Sequence, residues 1–471
     1  MTTKPPPRCS LQETIRLGQF YSLDESEVLS QIAEAFEPEL ERLKSARAIE
    51  GTVQQRLANG TIDRPSPSQI LYGTNYDEIN RTLVGILALR WIHNDEYERF
   101  VSGQPSEYML IEDSFEELRQ LFAEVLQCSD DVFVLVLSMV INDLGKDPNL
   151  EEDYFRTTGQ RLTEKNHDSL LLEAAKVGMI PALDYLNPDK REEVMLGLQL
   201  GSELNAGQLA QAESVPVNLE GLLEMRGHEH AFNLKFMEQI LDVAGAAGHI
   251  DSSGARNFIQ PVYETFKTVH EVSLDIIAGR CTLRQGYDKV LTKRGKILID
   301  KGFRRLSVSD REERALLRLL TMGRTADLEQ AELFSKAFHD LDKRNKEQLV
   351  AGLNVDGNVN ETAVLPYYMP AIISTALKNT EDSDETSKQR ALMSLMRYLA
   401  KVLGSPGAGL PGVPEDAVYN GEVAGIVVER NMSKAQDVIN SPEFKNNPDI
   451  LDRLAIPEGQ VLQRRRTSQS W

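Results

Sequence analysis

The chain has 471 residues, and 72 acidic against 52 basic residues give it a net charge of -20. Such an acidic surface repels phosphate backbones and anionic lipids, which argues against nucleic acid and membranes as partners. A hydrophobic content of 41% excludes disorder as the main state and predicts a globular protein. Three isolated cysteines without CxxC spacing exclude a disulfide framework, and an N-terminus without an apolar signal-peptide core adds to the prediction of a cytoplasmic protein.

Helical periodicity runs through almost the whole chain. Apolar residues recur every three to four positions in Asp24–Leu43, in Asp77–Phe100 and in many later segments. Strand signals are scarce, and the clearest is the short β-branched run Ile426–Val428. The sequence therefore predicts an all-α fold, a large helical bundle with a short irregular C-terminal segment. The predicted parts are a flexible N-terminal segment 1–21, a helical body 22–305, a second helical lobe 306–403, and a Gly/Pro-rich loop with a polar tail 404–471.

One predicted helix is apolar on every face. Between Val132 and Ile141 only Ser138 is polar, which is typical of a buried helix. Asn142 and Asp143 follow directly at its C-terminal end. Because a lone buried carboxylate is too costly, Asp143 must be paired, hydrogen-bonded or bound to a metal. Two interpretations stay open, a structural ion pair at the helix end and a functional site.

The same segment, MVINDLGKDPNL, resembles the LLHDIGK-type segment of the HD-domain metal-dependent superfamily. The resemblance implies an HD-like core in the helical body and a metal centre at the end of a buried helix, with Asp143 as a ligand. Asn142 stands where that family has a ligating histidine. The resemblance therefore implies a one-metal or degenerate centre that takes Zn or Fe.

In this resemblance the remaining ligands come from neighbouring helices. His167 opens a downstream helix, and His93 and Asp275 lie in helical runs with apolar neighbours. These residues are the candidates to complete the metal shell with Asp143. Each also has a structural interpretation: a first-turn residue for His167, a core or capping histidine for His93, and a salt bridge with Arg280 or Lys267 for Asp275.

The segment Gly227–His230 begins another predicted helix. On a helical wheel Glu229 points along the apolar stripe and His230 lies at its margin, so both are predicted to face inward. His230 is accordingly a further candidate ligand, while Glu229 and Lys146 are candidates for handling protons or charge. The alternative is a helix N-terminus with a capping glutamate and a satisfied core histidine.

Together these features predict a metal-dependent enzyme that acts on a small molecule, with specialised metabolism as its setting. A single Zn or Fe centre would serve elimination, hydrolysis or oxygenation. The zinc lyases of fungal alkaloid pathways, such as cyclopenases, are one such class. The alternative function is a degenerate HD-like scaffold that binds a protein partner without catalysis.

Overall fold

The computed structural model describes residues 9–46, 65–162, 166–358, 361–408, 410 and 427–462. The chain divides into two compact units. The first consists of the residues up to Glu203 together with Glu224–Lys267, and the second of Leu204–Leu223 together with the residues from Thr268 onward. The lobe boundary predicted near residue 305 falls inside the second unit.

The first unit is helical throughout its described residues. Its α-helices are Ser10–Arg16, Glu25–Ala35, Glu37–Leu43, Pro67–Tyr72, Asp77–His93, Tyr97–Phe100, Glu112–Val125, Ser129–Ile141, Leu150–Thr158, His167–Lys176, Pro188–Glu203 and Glu229–Gly245. Two short 3-10 helices are Leu144–Lys146 and Pro181–Tyr185. Along the chain, Gly221–Glu224 and Gln260–Ile277 cross the divisions between the units.

The second unit combines helices with a small sheet. Its α-helices are Ala206–Ala210, Leu283–Asp300, Arg311–Met322, Leu328–His339, Lys343–Leu353, Met369–Asn379, Glu385–Leu403, Ser433–Asn440 and Pro442–Asn446, and its 3-10 helices are Pro216–Leu219 and Pro448–Arg453. The strands are Ala363–Tyr367, Val427–Asn431 and Gly459–Leu462. The middle strand pairs in parallel with the first and antiparallel with the last, so that Val428 lies opposite both Val364 and Val461. The largely all-α prediction is confirmed.

The N- and C-terminal segments contain more regular structure than the sequence predicted. Within the segment 1–21, Ser10–Arg16 forms a helix whose Leu11 is fully buried. The strand predicted around Ile426–Val428 is present at Val427–Asn431, and short helices follow it. Residues 411–426 and 463–471 of the predicted loop and tail lie outside the described residues.

A proline divides one predicted helix in two. The pattern Asp24–Leu43 predicts a continuous helix, whereas the structure has Glu25–Ala35 and Glu37–Leu43 separated at Phe36. Pro38 has no backbone N–H and its ring excludes a preceding helical turn, so it is tolerated only at the start of the second helix. None of the described helices combines the length and apolar character needed to cross a membrane.

Two long helices cross closely in the first unit, Asp77–His93 (the Asp77 helix) and Glu229–Gly245 (the Glu229 helix). The Asp77 helix is buried from Glu78 to Ile92 except at Arg81, which is partly exposed. At the crossing a Cβ atom added to Gly245 would lie 2.2 Å from the carbonyl oxygen of Arg81 and 2.7 Å from the amide nitrogen of Gly85. The glycine therefore lets the two backbones touch, and this contact brings the charged residues of both helices together.

Candidate functional site

Asp143 lies in a group of buried charged side chains in the first unit, which we call the buried charge network. Its Oδ1 atom is 2.8 Å from the Nζ of Lys146, three residues along the same turn. Lys146 also donates to Oε2 of Glu78 at 3.2 Å, and Arg81 donates to the Oε1 of Glu78 at 2.8 Å. Glu78 is fully buried and Asp143 is 5% exposed. Asp143 is thus held by charges from its own turn and from the Asp77 helix.

The pKa values of Glu78 and Asp143 are shifted in opposite directions. Burial raises the pKa of Glu78, and the neighbouring Asp143 adds to this effect. Burial also opposes ionisation of Asp143, but the charges of Lys146 and Arg81 outweigh it and hold its pKa well below the usual range. A side-chain hydrogen bond joins Glu78 to Asp143. Asp143 therefore carries the negative charge, and Glu78 is the group that accepts a proton more readily.

The other half of the network comes from the Glu229 helix. The Nζ of Lys235 lies 2.7 Å from Oε1 of Glu238 and 3.3 Å from Oδ1 of Asn142. Burial raises the pKa of Glu238 to about 7 despite the pairing with Lys235. Burial and the nearby charge of Asp143 also raise the pKa of Asp242. Asn142 accordingly serves as a hydrogen-bond acceptor for Lys235.

Two glycines of the helix Pro188–Glu203 make room for the Lys235 side chain. A Cβ atom added to Gly201 would lie 2.7 Å from Cε and 2.9 Å from Nζ of Lys235, whereas one added to Gly197 would meet nothing closer than 3.5 Å. We expect Gly201→Ala to push the ammonium away from Glu238 and to lower the free energy of unfolding by about 1–2 kcal/mol. The matched change Gly197→Ala should leave stability unchanged or raise it by up to about 1 kcal/mol. Urea denaturation of both variants measures the difference, and equal effects would contradict this packing.

His167 lies beside the turn that carries Asp143. Its carbonyl oxygen is so close that a Cβ atom added to Gly145 would be 1.9 Å away. Its ring Nε2, however, is 3.5 Å from Oδ1 of the adjacent Asp168. The backbone of His167 therefore lies beside the turn of Asp143, while its imidazole faces the carboxylate of Asp168, and its role as a metal ligand stays a prediction.

His93 and Glu229 lie away from the buried charge network. His93 ends the Asp77 helix about 18 Å along the axis from Arg81, and its ring stacks on Tyr21 with centroids 3.5 Å apart. Glu229 is exposed, and its Oε1 accepts a hydrogen bond of 3.1 Å from the amide of Gly227. The prediction that Glu229 faces inward is therefore wrong. Its carboxylate instead accepts a hydrogen bond from a backbone amide at the start of the helix.

Asp275 belongs to the second unit, whereas Asp143 belongs to the first. Its carboxylate is 2.6 Å from Nε of Arg280 and 2.5 Å from Nζ of Lys289. These contacts lower the pKa of Asp275, Lys289 contributing most. The alternative salt bridge with Arg280 is thus present.

His230 takes part in a different group of potential ligands. Among the described residues, Asp131, Glu193 and His230 each offer a ligand atom within 4.8 Å of the other two. The Nε2 of His230 is 3.5 Å from Oδ1 of Asp131, and its Nδ1 is 3.2 Å from Oε1 of Glu193. The three residues come from the first turn of Ser129–Ile141, from Pro188–Glu203 and from the Glu229 helix. We call this group the Asp-Glu-His triad.

The donor set of the triad suits a divalent ion such as zinc or iron, and three protein ligands would leave a coordination position open. The Nδ1 atom of His230 is buried and has no hydrogen-bond partner, because its contact with Glu193 lacks hydrogen-bond geometry. Against this, the Nζ of Lys190 is 2.8 Å from Oδ1 of Asp131 and 2.9 Å from Oε2 of Glu193. The ammonium group already balances both carboxylates, so a metal ion would have to displace it.

The sequence contains signals for these groups that the prediction did not use. Lys235, Glu238 and Asp242 recur at i, i+3 and i+7, which places three charges on one face of a largely apolar helix. Glu78 and Arg81 are similarly spaced in the Asp77 helix. Charges repeated on a buried face indicate a paired internal network. No comparable spacing connects the members of the Asp-Glu-His triad, which lie on separate helices.

The fold and these sites define a largely helical protein with a buried charge network and a carboxylate–imidazole triad in one unit. A family of unknown function, DUF6829, matches residues 29–451, and the chain belongs to this family. No curated protein and no solved structure matches the chain.

Proposed function

We propose that this protein is a metal-dependent enzyme for a small-molecule substrate, with one zinc or iron ion held by the Asp-Glu-His triad. The convergence of three ligand atoms within 4.8 Å of one another carries the proposal. The buried Nδ1 of His230, which makes no hydrogen bond, supports it further. The proposed centre shares only His230 with the ligand set predicted from the sequence, and it does not require metal binding by Asp143.

The same helix that carries His230 also carries a buried carboxyl group, Glu238, which lies outside hydrogen-bond reach of the triad. Glu238 follows His230 by eight residues, which is about 12 Å along the helix axis. With a pKa of about 7, its carboxyl can hold or release a proton near neutral pH. When bound, the metal would polarise a carbonyl or activate water, which is compatible with elimination, hydrolysis or oxygenation. The three free cysteines further support a proposed cytoplasmic location.

One contact favours a second candidate function, a helical scaffold that binds a partner without catalysis. Lys190 contacts both carboxylates of the triad at 2.8 and 2.9 Å, as a permanent internal cation would. In this alternative the triad and Lys190 form an ion-pair group that stabilises three helices. The two functions differ in whether Lys190 competes with a metal or replaces it.

Metal content and zinc titration of four proteins distinguish the two functions. We expect the purified unmodified chain to bind one zinc or iron ion and His230→Ala to weaken zinc binding about 10–100-fold. Lys190→Met should tighten zinc binding about tenfold, because the competing ammonium is gone. His228→Ala is the matched control, since this exposed histidine lies two residues from His230 and should leave affinity unchanged.

Two outcomes would exclude the metal enzyme. One is the absence of zinc and iron binding in both the unmodified chain and Lys190→Met. The other is equal zinc affinity in His230→Ala and the unmodified chain. A loss of stability in Lys190→Met without any gain in metal binding would instead favour the second function, in which Lys190 is a permanent ion-pair partner of the triad.

A further inference from the structure

Glu213 in the second unit is a buried carboxyl group that contacts the beginning of a distant helix. It is 4% exposed, and its Oε1 accepts a hydrogen bond from the backbone amide of Tyr368. The amide of Met369 also hydrogen-bonds to this carboxyl group. Both amides lie at the start of the helix Met369–Asn379 and have no partner within that helix. Glu213 therefore caps a helix that begins about 150 residues further along the chain.

The backbone around Glu213 is strained. Ala212, Arg324 and Tyr368 have φ angles of 53°, 51° and 75°, in the left-handed region that favours glycine. Among the described non-glycine residues only Asp95 shares this property. Ala212 directly precedes Glu213, Tyr368 donates a hydrogen bond to it, and the charge of Arg324 acts on it. Such conformations persist where the surroundings enforce them, and they concentrate at functional positions.

Two buried side chains fix the chain segment on either side of Glu213. Arg318 donates from Nε to the carbonyl of Ala212 at 3.0 Å and from Nη2 to that of Ser214 at 2.9 Å. The hydroxyl of Tyr287 lies 3.0 and 2.9 Å from the same two carbonyl oxygens. Both side chains are fully buried. The backbone at Glu213 cannot move away easily, so a change of charge on its carboxyl group acts on the helix start.

The amides of Tyr368 and Met369 and the charge of Arg324 compensate a negative charge on Glu213 only in part. Burial raises its pKa to about 8, the charge of Glu429 on the middle strand adds to the rise, and Arg324 opposes it. Tyr367 and Tyr368 are the other titratable neighbours, with ring centroids 3.9 Å apart. Burial raises the pKa of the Tyr367 hydroxyl, which therefore stays neutral. At neutral pH most Glu213 side chains accordingly keep their proton.

We propose that Glu213 is a proton-operated latch that holds the start of the helix Met369–Asn379 when protonated and releases it when ionised. In the released state the carboxyl group becomes hydrated and ionises near its ordinary pKa of 4.5. The held state binds the proton more tightly, so its advantage is complete at low pH and is lost as pH rises towards about 8. One proton is linked to release, so the equilibrium constant for release rises up to tenfold per pH unit in this range.

Hydrogen–deuterium exchange of the peptide containing the Tyr368 and Met369 amides tests the latch in the full chain. The exchange rate is divided by that of Glu213→Gln at each pH, which cancels the intrinsic pH dependence of exchange. We expect this ratio to rise up to tenfold per unit between pH 5 and 8 and then to level off. Glu220→Gln, at an exposed position of the same unit, should behave like the unmodified chain.

A ratio that stays constant between pH 5 and 9 would overturn the latch. If Glu213→Gln does not fold, the variant Glu429→Gln provides the test. Removing the negative charge of Glu429 lowers the pKa of Glu213 in the held state. After correction for the intrinsic exchange rate, the rise should begin at the same pH in both proteins but level off at a lower pH in Glu429→Gln than in the unmodified chain. An unchanged pH profile in that variant would also overturn the proposal.

Discussion

Replacing Asp143 by alanine is expected to lower the free energy of unfolding of the first unit by about 3–5 kcal/mol. Asp143 is the acceptor for Lys146 at 2.8 Å, and the charge of Arg81 also acts on it. Without this carboxylate both cations stay buried with less compensation, and Glu78 and Asp242 remain beside them. The large effect comes from this unpaired charge rather than from the net value of the ion pair, which can be small.

Asp275→Ala is the matched control for this experiment. Asp275 also contacts a lysine and an arginine at hydrogen-bond distance, but its partners Lys289 and Arg280 are about half exposed to solvent. Solvent screens these contacts, so we expect a loss of about 0–1 kcal/mol. Chemical denaturation followed by circular dichroism measures both variants. If Asp143→Ala costs no more than Asp275→Ala, the buried charge network does not contribute to stability as described.

Gly245→Ala is expected to destabilise the first unit by about 3 kcal/mol. The added Cβ atom would lie 2.2 Å from the carbonyl oxygen of Arg81, which belongs to the backbone of the Asp77 helix. No side-chain rotation relieves this contact, so the two helices must separate. Because Glu78 and Arg81 lie on one helix and Asp242 on the other, separation also weakens the buried charge network.

Thermal unfolding of Gly245→Ala, compared with Gly197→Ala, tests this contact. Both glycines lie inside or at the end of long helices, where alanine by itself favours the helix. Only Gly245 meets a neighbouring backbone at less than 3 Å. A melting temperature of Gly245→Ala equal to or above that of Gly197→Ala would show that the helices can move apart without cost.

Asp143 illustrates how far a buried carboxylate can be interpreted from sequence. Its position after an apolar helix predicts that it needs a partner, and the structure provides Lys146 and Glu78. The pattern could not decide between an ion pair and a metal, because both compensate a buried charge. Its metal-binding role stays a prediction from the HD-type resemblance, while the ion pair is present in the fold.

The sequence by itself determined the helical class and the burial of individual helices. The helix Ser129–Ile141 is apolar on every face, so its burial follows from composition alone. The position of Pro38 likewise predicts the break at Phe36, since a proline has no backbone amide to continue the preceding helix. Local rules of this kind concern a residue and its nearest neighbours along the chain.

Only the tertiary structure decided which charged residues meet. Asp131, Glu193 and His230 come from three helices, and Glu213 contacts an amide about 150 residues away. A helical pattern shows which face of a helix is buried, but it does not identify the helix packed against that face. The glycine contact at Gly245 and the cation at Lys190 depend on this pairing. They determine whether the charged groups act as ion pairs, ligands or a latch.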